Sequence, residues 1–225
     1  MATITIISYS GKPFANRVDA GRAMADNLCY LKSKDTVVLG IPRGGIIVGA
    51  EVARILGSEF DIVLTRKLGA PGNPELAIGA VSENGDIILD KILAFEAGVG
   101  KEYIQEEKAR QLVEILRRNK IYRKLCPKVP LKGKTAIIID DGIATGATMQ
   151  SALMAVRREE PKSVIAAFPV GTQDSITKLS QYADEIICLR LPDYFSAVGQ
   201  FYLEFPQVSD EEIVKILENN INRKE

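Results

Sequence analysis

Short apolar runs alternate along this chain with longer amphipathic stretches. Most of the runs are continuous in Val, Ile and Leu without polar alternation, which is typical of strands buried on both faces of a sheet. Seven strands are predicted: Thr36–Gly40, Asp61–Thr65, Ala77–Ser82, Asp86–Leu89, Thr135–Ile139, Ser163–Pro169 and Glu185–Leu189. Six helices are predicted: Arg17–Leu31, Gly45–Leu56, Lys101–Lys124, Gly146–Arg158, Ser175–Tyr182 and Asp210–Asn220. This alternation predicts an α/β fold, a mainly parallel sheet flanked by helices.

One segment interrupts the alternation. Ser82-Glu83-Asn84-Gly85-Asp86 has the Asn-Gly signal of a tight hairpin between two apolar runs. The long charged helix Lys101–Lys124 then precedes the next strand of the sheet. We interpret residues 69–130 as an insertion over one end of the sheet, within a single domain that spans residues 1–225. The inserted helix either packs on the sheet as a solvated amphipathic helix or supplies Lys and Arg contacts to a ligand.

Composition narrows the class of protein. Of the 225 residues, 46% are apolar and 26% charged, which indicates a globular protein with a buried core. Lys+Arg and Asp+Glu balance at 29 each, so the net charge gives no reason to expect a nucleic-acid partner. The N-terminal residues lack the basic region of a signal peptide, and no apolar run reaches the roughly 18 residues of a membrane span. We therefore expect a cytoplasmic protein without a membrane partner.

Two residue types limit the chemistry. Cys29, Cys126 and Cys188 are widely spaced and form no metal-binding motif, so we expect reduced thiols and not disulfides or a zinc site. The sequence contains no histidine, which excludes Ser-His-Asp and Cys-His catalysis and the His-based zinc motifs. Any metal must then have oxygen ligands, which favours Mg²⁺.

The strongest candidate site follows the strand Thr135–Ile139. It reads Asp140-Asp141-Gly142-Ile143-Ala144-Thr145-Gly146-Ala147-Thr148 and runs into a helix. In open parallel sheets, ligands bind beyond the carboxyl ends of the strands, where amides at a helix N-terminus attract anions. Gly146 would let the backbone approach a phosphate, the Thr145 and Thr148 hydroxyls could donate to it, and two adjacent carboxylates suit the vicinal hydroxyls of a ribose. The structural alternative is a glycine-rich turn in which the aspartates only cap the helix.

A second loop of the same kind follows the strand Thr36–Gly40. It reads Ile41-Pro42-Arg43-Gly44-Gly45 and also runs into a helix. Its free amides and the Arg43 guanidinium could hold a diphosphate. Arg66 and Lys67 end the next predicted strand, before a loop rich in Gly and Pro. They supply a third anion contact or, alternatively, are cations that snorkel at a strand edge.

The first loop, in register with a buried strand and a helix, resembles the diphosphoribose-binding motif of type I phosphoribosyltransferases. The resemblance implies the Rossmann-like fold of that family, a 5-phosphoribosyl 1-diphosphate (PRPP) substrate and Mg²⁺. Asp140 and Asp141 would then bind the ribose hydroxyls and, directly or through ligand or water, the metal. The 5-phosphate would be wrapped by Ala144, Thr145, Gly146, Ala147 and Thr148.

The second loop resembles the pyrophosphate loop of the same family, in which Gly44 would allow an unusual backbone conformation that exposes its amides. The diphosphate would then be bound by Arg43, Gly44, Gly45, Arg66 and Lys67. Three stretches resemble a largely uncharacterised group of bacterial and archaeal phosphoribosyltransferases: Phe14–Gly21, Ile41–Gly79 and Ala197–Tyr202.

The resemblance also suggests where an acceptor binds. Leu191–Gly199, within a C-terminal hood segment of residues 191–225, is similar to the hood of hypoxanthine-guanine phosphoribosyltransferases, where an aromatic residue stacks on the purine. Tyr194 or Phe195 could stack on a base in this way. Alternatively, the two rings pack the C-terminal segment onto the core.

Two departures from those enzymes disfavour a 6-oxopurine acceptor. They have an acid, assigned as the general base, where this chain has Ala144, and a Lys where it has Val170-Gly171-Thr172. Glu75 and Glu204 are the remaining candidates for a general base. The expected activity is phosphoribosyl transfer from PRPP to a nitrogen acceptor, with Asp140, Asp141, Arg43 and Lys67 as catalytic residues. The alternatives are a PRPP-sensing regulator without turnover and the reverse or hydrolytic reaction; a homodimer is common for this fold.

Overall fold

The computed structural model describes residues 2–32 and 34–221, apart from the side chains of Glu75, Asn220 and Ile221. Nine strands lie in these ranges: β1 Thr3–Ser8, β2 Thr36–Gly40, β3 Glu59–Ile62, β4 Arg66–Ala70, β5 Asn73–Val81, β6 Ile87–Leu89, β7 Thr135–Ile139, β8 Ser163–Val170 and β9 Glu185–Arg190. Seven α-helices accompany them: α1 Arg17–Asn27, α2 Gly44–Leu56, α3 Lys91–Glu96, α4 Lys101–Tyr122, α5 Ala147–Arg157, α6 Gln173–Leu179 and α7 Asp210–Ile221. None of these helices has both the length and the apolar character needed to cross a membrane.

Six strands form a parallel sheet in the order β1-β9-β8-β7-β2-β3. Alternate residues of β7 enter two separate cores: Ile137 and Ile139 pack on the side of α1, α2 and α7, and Ala136 and Ile138 pack on the side of α5 and α6. Both faces of the strand are therefore buried, which is why its sequence is a continuous apolar run. The predicted α/β fold, a mainly parallel sheet flanked by helices, is confirmed.

The remaining three strands form a separate antiparallel sheet, β4-β5-β6, between β3 and β7 in the chain. The Asn-Gly turn is confirmed: the amide of Ser82 donates to Asp86 O at 3.0 Å, and Gly85 has a φ of 79°. Helix α4 packs on this sheet through a small core that contains Leu68 and Ile115. The division into an insertion at 69–130 and a hood at 191–225 stays a prediction; α7, in the latter range, packs against α2 and α4.

The strand predicted at Asp61–Thr65 lies at Glu59–Ile62 instead. Its ladder partner β2 ends at Gly40 and turns away into the second loop. The amide of Val63 still donates to Gly40 O at 3.0 Å, and the chain then leaves the sheet. The apolar run 62–65 predicts a longer strand because sequence pattern does not show where the neighbouring strand ends.

Arg66–Ala70 is a strand, and the prediction of a cationic strand end followed by a loop was wrong. A Cβ on Gly69 would lie 2.8 Å from the Cα of Pro74, so glycine is required where β4 and β5 come together. Gly72, with a φ of 73°, is in the turn between them. Glycine and proline usually indicate a loop, but here they allow two antiparallel strands to pair closely. The short elements β1 and α3 were not predicted either.

Candidate functional site

The two predicted loops meet at the carboxyl edge of the parallel sheet. β2 and β7 are neighbours, and the chain continues from β2 to β3 on one side and from β7 to β8 on the other. Such a reversal of direction opens a crevice in which α/β sheets bind ligands. The amide of Ile41, which begins the loop after β2, donates to Ile139 O at the end of β7 at 2.9 Å. Both loops therefore line this crevice side by side.

The two aspartates after β7 have different surroundings. Asp141 Oδ2 accepts a hydrogen bond from Arg17 Nε at 2.7 Å in a largely buried ion pair, and Asp141 O accepts the Tyr202 hydroxyl at 2.5 Å. Asp140 Oδ1 accepts the amide of Asp141 at 2.9 Å. Burial and the neighbouring Asp141 carboxylate raise the pKa of Asp140 well above its usual value. Burial also raises the pKa of Asp141, although Arg17 opposes the shift. Arg17 already donates a hydrogen bond to Asp141. Asp140 is therefore the carboxylate that a hydrogen-bond donor of a ligand would stabilise more.

Arg17 was not singled out from the sequence, although it holds one of the two acids. Its Nη1 donates to Pro206 O at 2.9 Å, and its guanidinium lies 3.8 Å from the centroid of the Phe205 ring. Phe205 in turn stacks on Tyr202, with 4.9 Å between the ring centroids. These contacts join the start of α1 to the C-terminal segment and fix the position of Asp141. The available signal was the resemblance of both segments to the same group of proteins.

Glycine at positions 44 and 45 allows the two loops to touch. A Cβ on Gly45 would lie 2.5 Å from Ile139 O, and a Cβ on Gly44 would lie 1.8 Å from Asp141 Oδ2. Gly44 does not have a positive φ, so this close approach is what requires glycine there. The second loop nevertheless has an unusual backbone conformation, because the peptide bond between Pro42 and Arg43 is cis although Arg43 is not a proline. The Asp141 carboxylate thus packs directly on the second loop.

Replacing Gly44 by alanine should destabilise the protein by about 1–3 kcal/mol, the usual effect of overpacking. The added methyl group must displace the Asp141 carboxylate and, with it, Arg17. Urea denaturation of Gly44→Ala beside Gly11→Ala measures the difference, because a Cβ on Gly11 meets nothing within 4 Å. Equal stability of the two variants would contradict the close packing of the loops.

The first loop has the features of an anion site at the start of α5. Gly146 has a φ of 75°, a backbone conformation that glycine adopts readily, and the helix begins at Ala147. The amides of the first helical turn lack acceptors within the helix, and that of Ala147 donates to Thr145 Oγ1 at 3.4 Å. Ala144, Thr145 and Thr148 are exposed. A phosphate here would meet N–H groups, hydroxyls and the positive end of the helix dipole.

The predicted diphosphate-binding cations lie on the β3 side of the crevice. Arg43 is half-buried at the residue before α2. Arg66 and Lys67 line a cavity of about 150 Å³ together with Pro42 and Thr148, one residue from each loop. The structure therefore brings the cations of β4 next to both loops, although β4 is not the strand that the sequence predicted.

Tyr194 and Phe195 lie on the opposite side, beyond β9. Tyr194 is 78% exposed, whereas the ring of Phe195 is half-buried with its centroid 5.3 Å from that of Phe201. Phe195 thus packs on the core, the alternative considered above, and Tyr194 is the ring that is open to a ligand. A Cβ on Gly142 would lie 2.4 Å from Val198 Cγ1, so this segment is packed against the first loop.

The candidates for a general base and for metal ligands are few. Glu204 is exposed, and the side chain of Glu75 lies outside the described residues. Among the described residues, no group of three or more acidic, Cys or His side chains could hold a metal ion. Mg²⁺ is usually bound by one or two carboxylates together with substrate phosphates. Asp140 and Asp141 are therefore suited to bind a Mg²⁺ ion together with a bound phosphate. Asp141 already forms an ion pair with Arg17.

Comparison with known proteins gives three informative matches. Residues 15–206 match the family model described as "Phosphoribosyl transferase domain". The Mycobacterium tuberculosis protein named "Putative phosphoribosyl transferase Rv0571c" is 42% identical over 207 residues, which are 92% of this chain and 47% of that protein. The same values hold for its counterpart MT0597 in a second strain, so the chain spans about half the length of the curated relatives it matches. The crystal structure of TT1426 from Thermus thermophilus superposes with a TM-score of 0.87 at 42% identity, over 92% of this chain and 98% of that one.

Proposed function

The chain belongs to the phosphoribosyl transferase family, and on that premise we propose that it transfers a 5-phosphoribosyl group from PRPP to a nitrogen acceptor such as a nucleobase, releasing diphosphate. The observation that carries the proposal is the meeting of two loops suited to anions, with an acidic pair between them, in one crevice of the sheet. A sugar with a phosphate at one end and a diphosphate at the other matches this order of groups.

Each part of the donor has a counterpart in the crevice. The 5-phosphate would bind the loop 144–148 and the N-terminus of α5. Asp140 would accept hydrogen bonds from the ribose 2- and 3-hydroxyls, and Asp141 would support it from the side of Arg17. The diphosphate would face Arg43 and the amides of Gly44 and Gly45. Two bound ends would hold the sugar carbon C1 in a fixed place between them.

The reaction requires control of charge more than proton transfer. As the bond from C1 to the diphosphate breaks, the sugar becomes positive and the leaving group gains negative charge. Arg43, Lys67 and the loop amides would stabilise the leaving diphosphate, and the carboxylates of Asp140 and Asp141 would favour the positive sugar. Asp140 and Asp141 would hold a Mg²⁺ ion together with the substrate, and the ion would supply further charge neutralisation when bound.

The acceptor would enter from the β9 side, beside Tyr194. Ala144 leaves this loop without the acid of the 6-oxopurine enzymes, and the Thr172 hydroxyl, where those enzymes have a Lys, donates to Ala144 O at 3.0 Å. Both positions therefore support the loop and offer no ionisable group to a purine. We propose an acceptor other than a 6-oxopurine.

A second candidate function is a PRPP sensor without turnover. It is favoured by the ion pair between Arg17 and Asp141, because that pair leaves Asp140 as the main carboxylate for the ribose. Arg17 also neutralises one of the two negative charges that would stabilise a positively charged sugar. A sensor needs affinity for the donor but no such stabilisation. Small molecules as partners, a homodimer and a cytoplasmic location stay predictions under either function.

Turnover separates the two candidates. PRPP and Mg²⁺ are offered to the protein with a panel of purines, pyrimidines and other amines, and the release of diphosphate is measured. Release that depends on one acceptor, above the acceptor-free rate, would support the transferase. Saturable PRPP binding without release for any acceptor would support the sensor, and release that needs no acceptor would support hydrolysis.

A further inference from the structure

The 150 Å³ cavity on the β3 side of the crevice has a wall formed by the long helix α4. Arg118 and Gln111 of this helix line the cavity, as do Pro42 and Thr148 of the two loops. Among the lining side chains that the structure describes there is no carboxylate, and the cations are Arg66, Lys67 and Arg118. A cleft lined by one sign of charge favours a ligand of the other sign. The chemistry of this cavity therefore suits an anion.

Helix α4 holds two of these cations by their inner nitrogens. Arg66 Nε donates to Gln111 Oε1 at 3.0 Å, and Gln111 Nε2 donates to Glu107 Oε1 at 2.8 Å, one turn earlier on the helix. Arg118 Nε lies 2.9 Å from Glu114 Oε1, also one turn earlier, in an ion pair without hydrogen-bond geometry. Neither arginine contact uses the terminal Nη nitrogens, and these N–H groups can bind phosphate oxygens in pairs.

Arg118 differs from the other arginines of α4 in its burial. Its side chain is 17% exposed, against 45% for Arg117 and 68% for Arg110. A guanidinium that is extended into solvent makes weak and screened contacts, whereas one held at a cavity wall acts in a less polar medium and over a fixed distance. Arg118 is thus the arginine of α4 that is placed to bind a ligand in the crevice.

We propose that Arg118, on the helix inserted between β3 and β7, binds the diphosphate of the donor together with Arg66. The inference rests on the proposed function, because it assigns an anion to the same crevice. Among its described lining residues, the cavity has Ile41 and Pro42, where the loop for the diphosphate begins, but only Thr148 of the 5-phosphate loop. The diphosphate is therefore the end of the donor that Arg118 meets. The other role open to Arg118 is a supporting i,i+4 pair with Glu114 within α4.

Titration calorimetry with three ligands separates these two roles. PRPP, inorganic diphosphate and ribose 5-phosphate, each with Mg²⁺, are titrated into the wild-type protein, Arg118→Met and the control Arg110→Met. Methionine keeps much of the apolar stem, and Arg110 is an exposed arginine of the same helix that does not line the cavity. Arg118→Met should weaken binding of PRPP and diphosphate roughly 10- to 100-fold, the effect of one or two charged hydrogen bonds. The affinity of Arg118→Met for ribose 5-phosphate should stay within about twofold of wild type. Arg110→Met should bind all three ligands within the same twofold range.

Each other outcome has a distinct meaning. Equal PRPP affinity of Arg118→Met and wild type would overturn the role of Arg118 and leave the proposed function standing. Equal weakening of all three ligands would also overturn it, because the substitution would then disturb the whole crevice. A wild-type protein that binds no PRPP would remove the proposed function and this inference together. Arg118→Lys, which keeps the charge but not the paired donors, should recover part of the diphosphate affinity, and no recovery would count against a direct contact.

Discussion

Asp140→Asn should weaken PRPP binding by about 100-fold or more, because it removes the charge from two hydrogen bonds that contribute roughly 1.5–3 kcal/mol each. The amide keeps the shape of the side chain and can still accept the amide of Asp141. The loss would therefore come from the ribose contact and not from the fold of the loop. Calorimetric titration of PRPP into the variant measures the affinity. Asp193→Asn, at an exposed acid beyond β9, is the control and should bind like wild type.

The same substitution should make the ligand-free protein more stable at neutral pH. Burial and the neighbouring Asp141 carboxylate raise the pKa of Asp140 in the folded state, so the folded protein holds this proton more tightly than the unfolded chain does. Such a group lowers the free energy of unfolding as the pH rises above the ordinary Asp pKa, and the full loss is present above the raised pKa. Asparagine carries no charge at any pH. The advantage of Asp140→Asn in thermal unfolding should therefore grow from acidic to neutral pH.

These two measurements check each other. A variant that is more stable and yet binds PRPP poorly has lost a ligand contact and not its structure. Unchanged PRPP affinity would remove Asp140 from the ribose site. A lower midpoint of unfolding at neutral pH would contradict the view that the buried charge of Asp140 destabilises the protein when no ligand is bound.

Arg123→Met should destabilise the protein by about 3–5 kcal/mol, the usual effect of removing one partner of a buried ion pair. Arg123 follows α4 and donates to the Asp61 carboxylate, to Glu83 Oε2 at 2.8 Å and to Ile62 O at 3.0 Å. Asp61, in β3, is only 2% exposed. This one side chain therefore joins the end of α4, the hairpin of the second sheet and the main sheet.

Urea denaturation of three variants tests that assignment. Arg110→Met, at an exposed pair, should change the free energy of unfolding by less than about 1 kcal/mol. Arg123→Met with Asp61→Asn should be more stable than Arg123→Met alone, because the unpaired buried charge is gone while the side chain can still accept the amide of Val129. A loss below about 1 kcal/mol for Arg123→Met would contradict its role in joining α4 to the main sheet.

The first loop could be predicted because all its parts are consecutive in the chain. The strand Thr135–Ile139 has the predicted bounds, and the acids, Gly146 and the start of α5 follow it in register. The partner of Asp141 could not be predicted in this way, because Arg17 lies 124 positions away and only the fold brings the two together. The place of Gly44 against Asp141 has the same origin, since two neighbouring strands deliver the loops to one point.

The second sheet shows where prediction from local sequence patterns fails. The Asn-Gly turn and the helix α4 follow from local rules and are present, but β4 contains Arg66, Lys67 and Gly69, which indicate a strand end and a loop. Tertiary pairing decides the conformation here, because β4 is a strand only next to β5. As a result, Arg66 and Lys67 reach the crevice from the second sheet. Arg118 could not be singled out from the other cations of α4 until its burial was known.

We propose above all that the crevice between β2 and β7 binds PRPP. Titration of PRPP with Mg²⁺ into the wild-type protein tests it most directly, with ribose 5-phosphate and inorganic diphosphate as competitors. We expect saturable binding of one PRPP per chain, weakened by either competitor and by Asp140→Asn. No detectable binding, or binding that neither competitor nor the substitution affects, would contradict it.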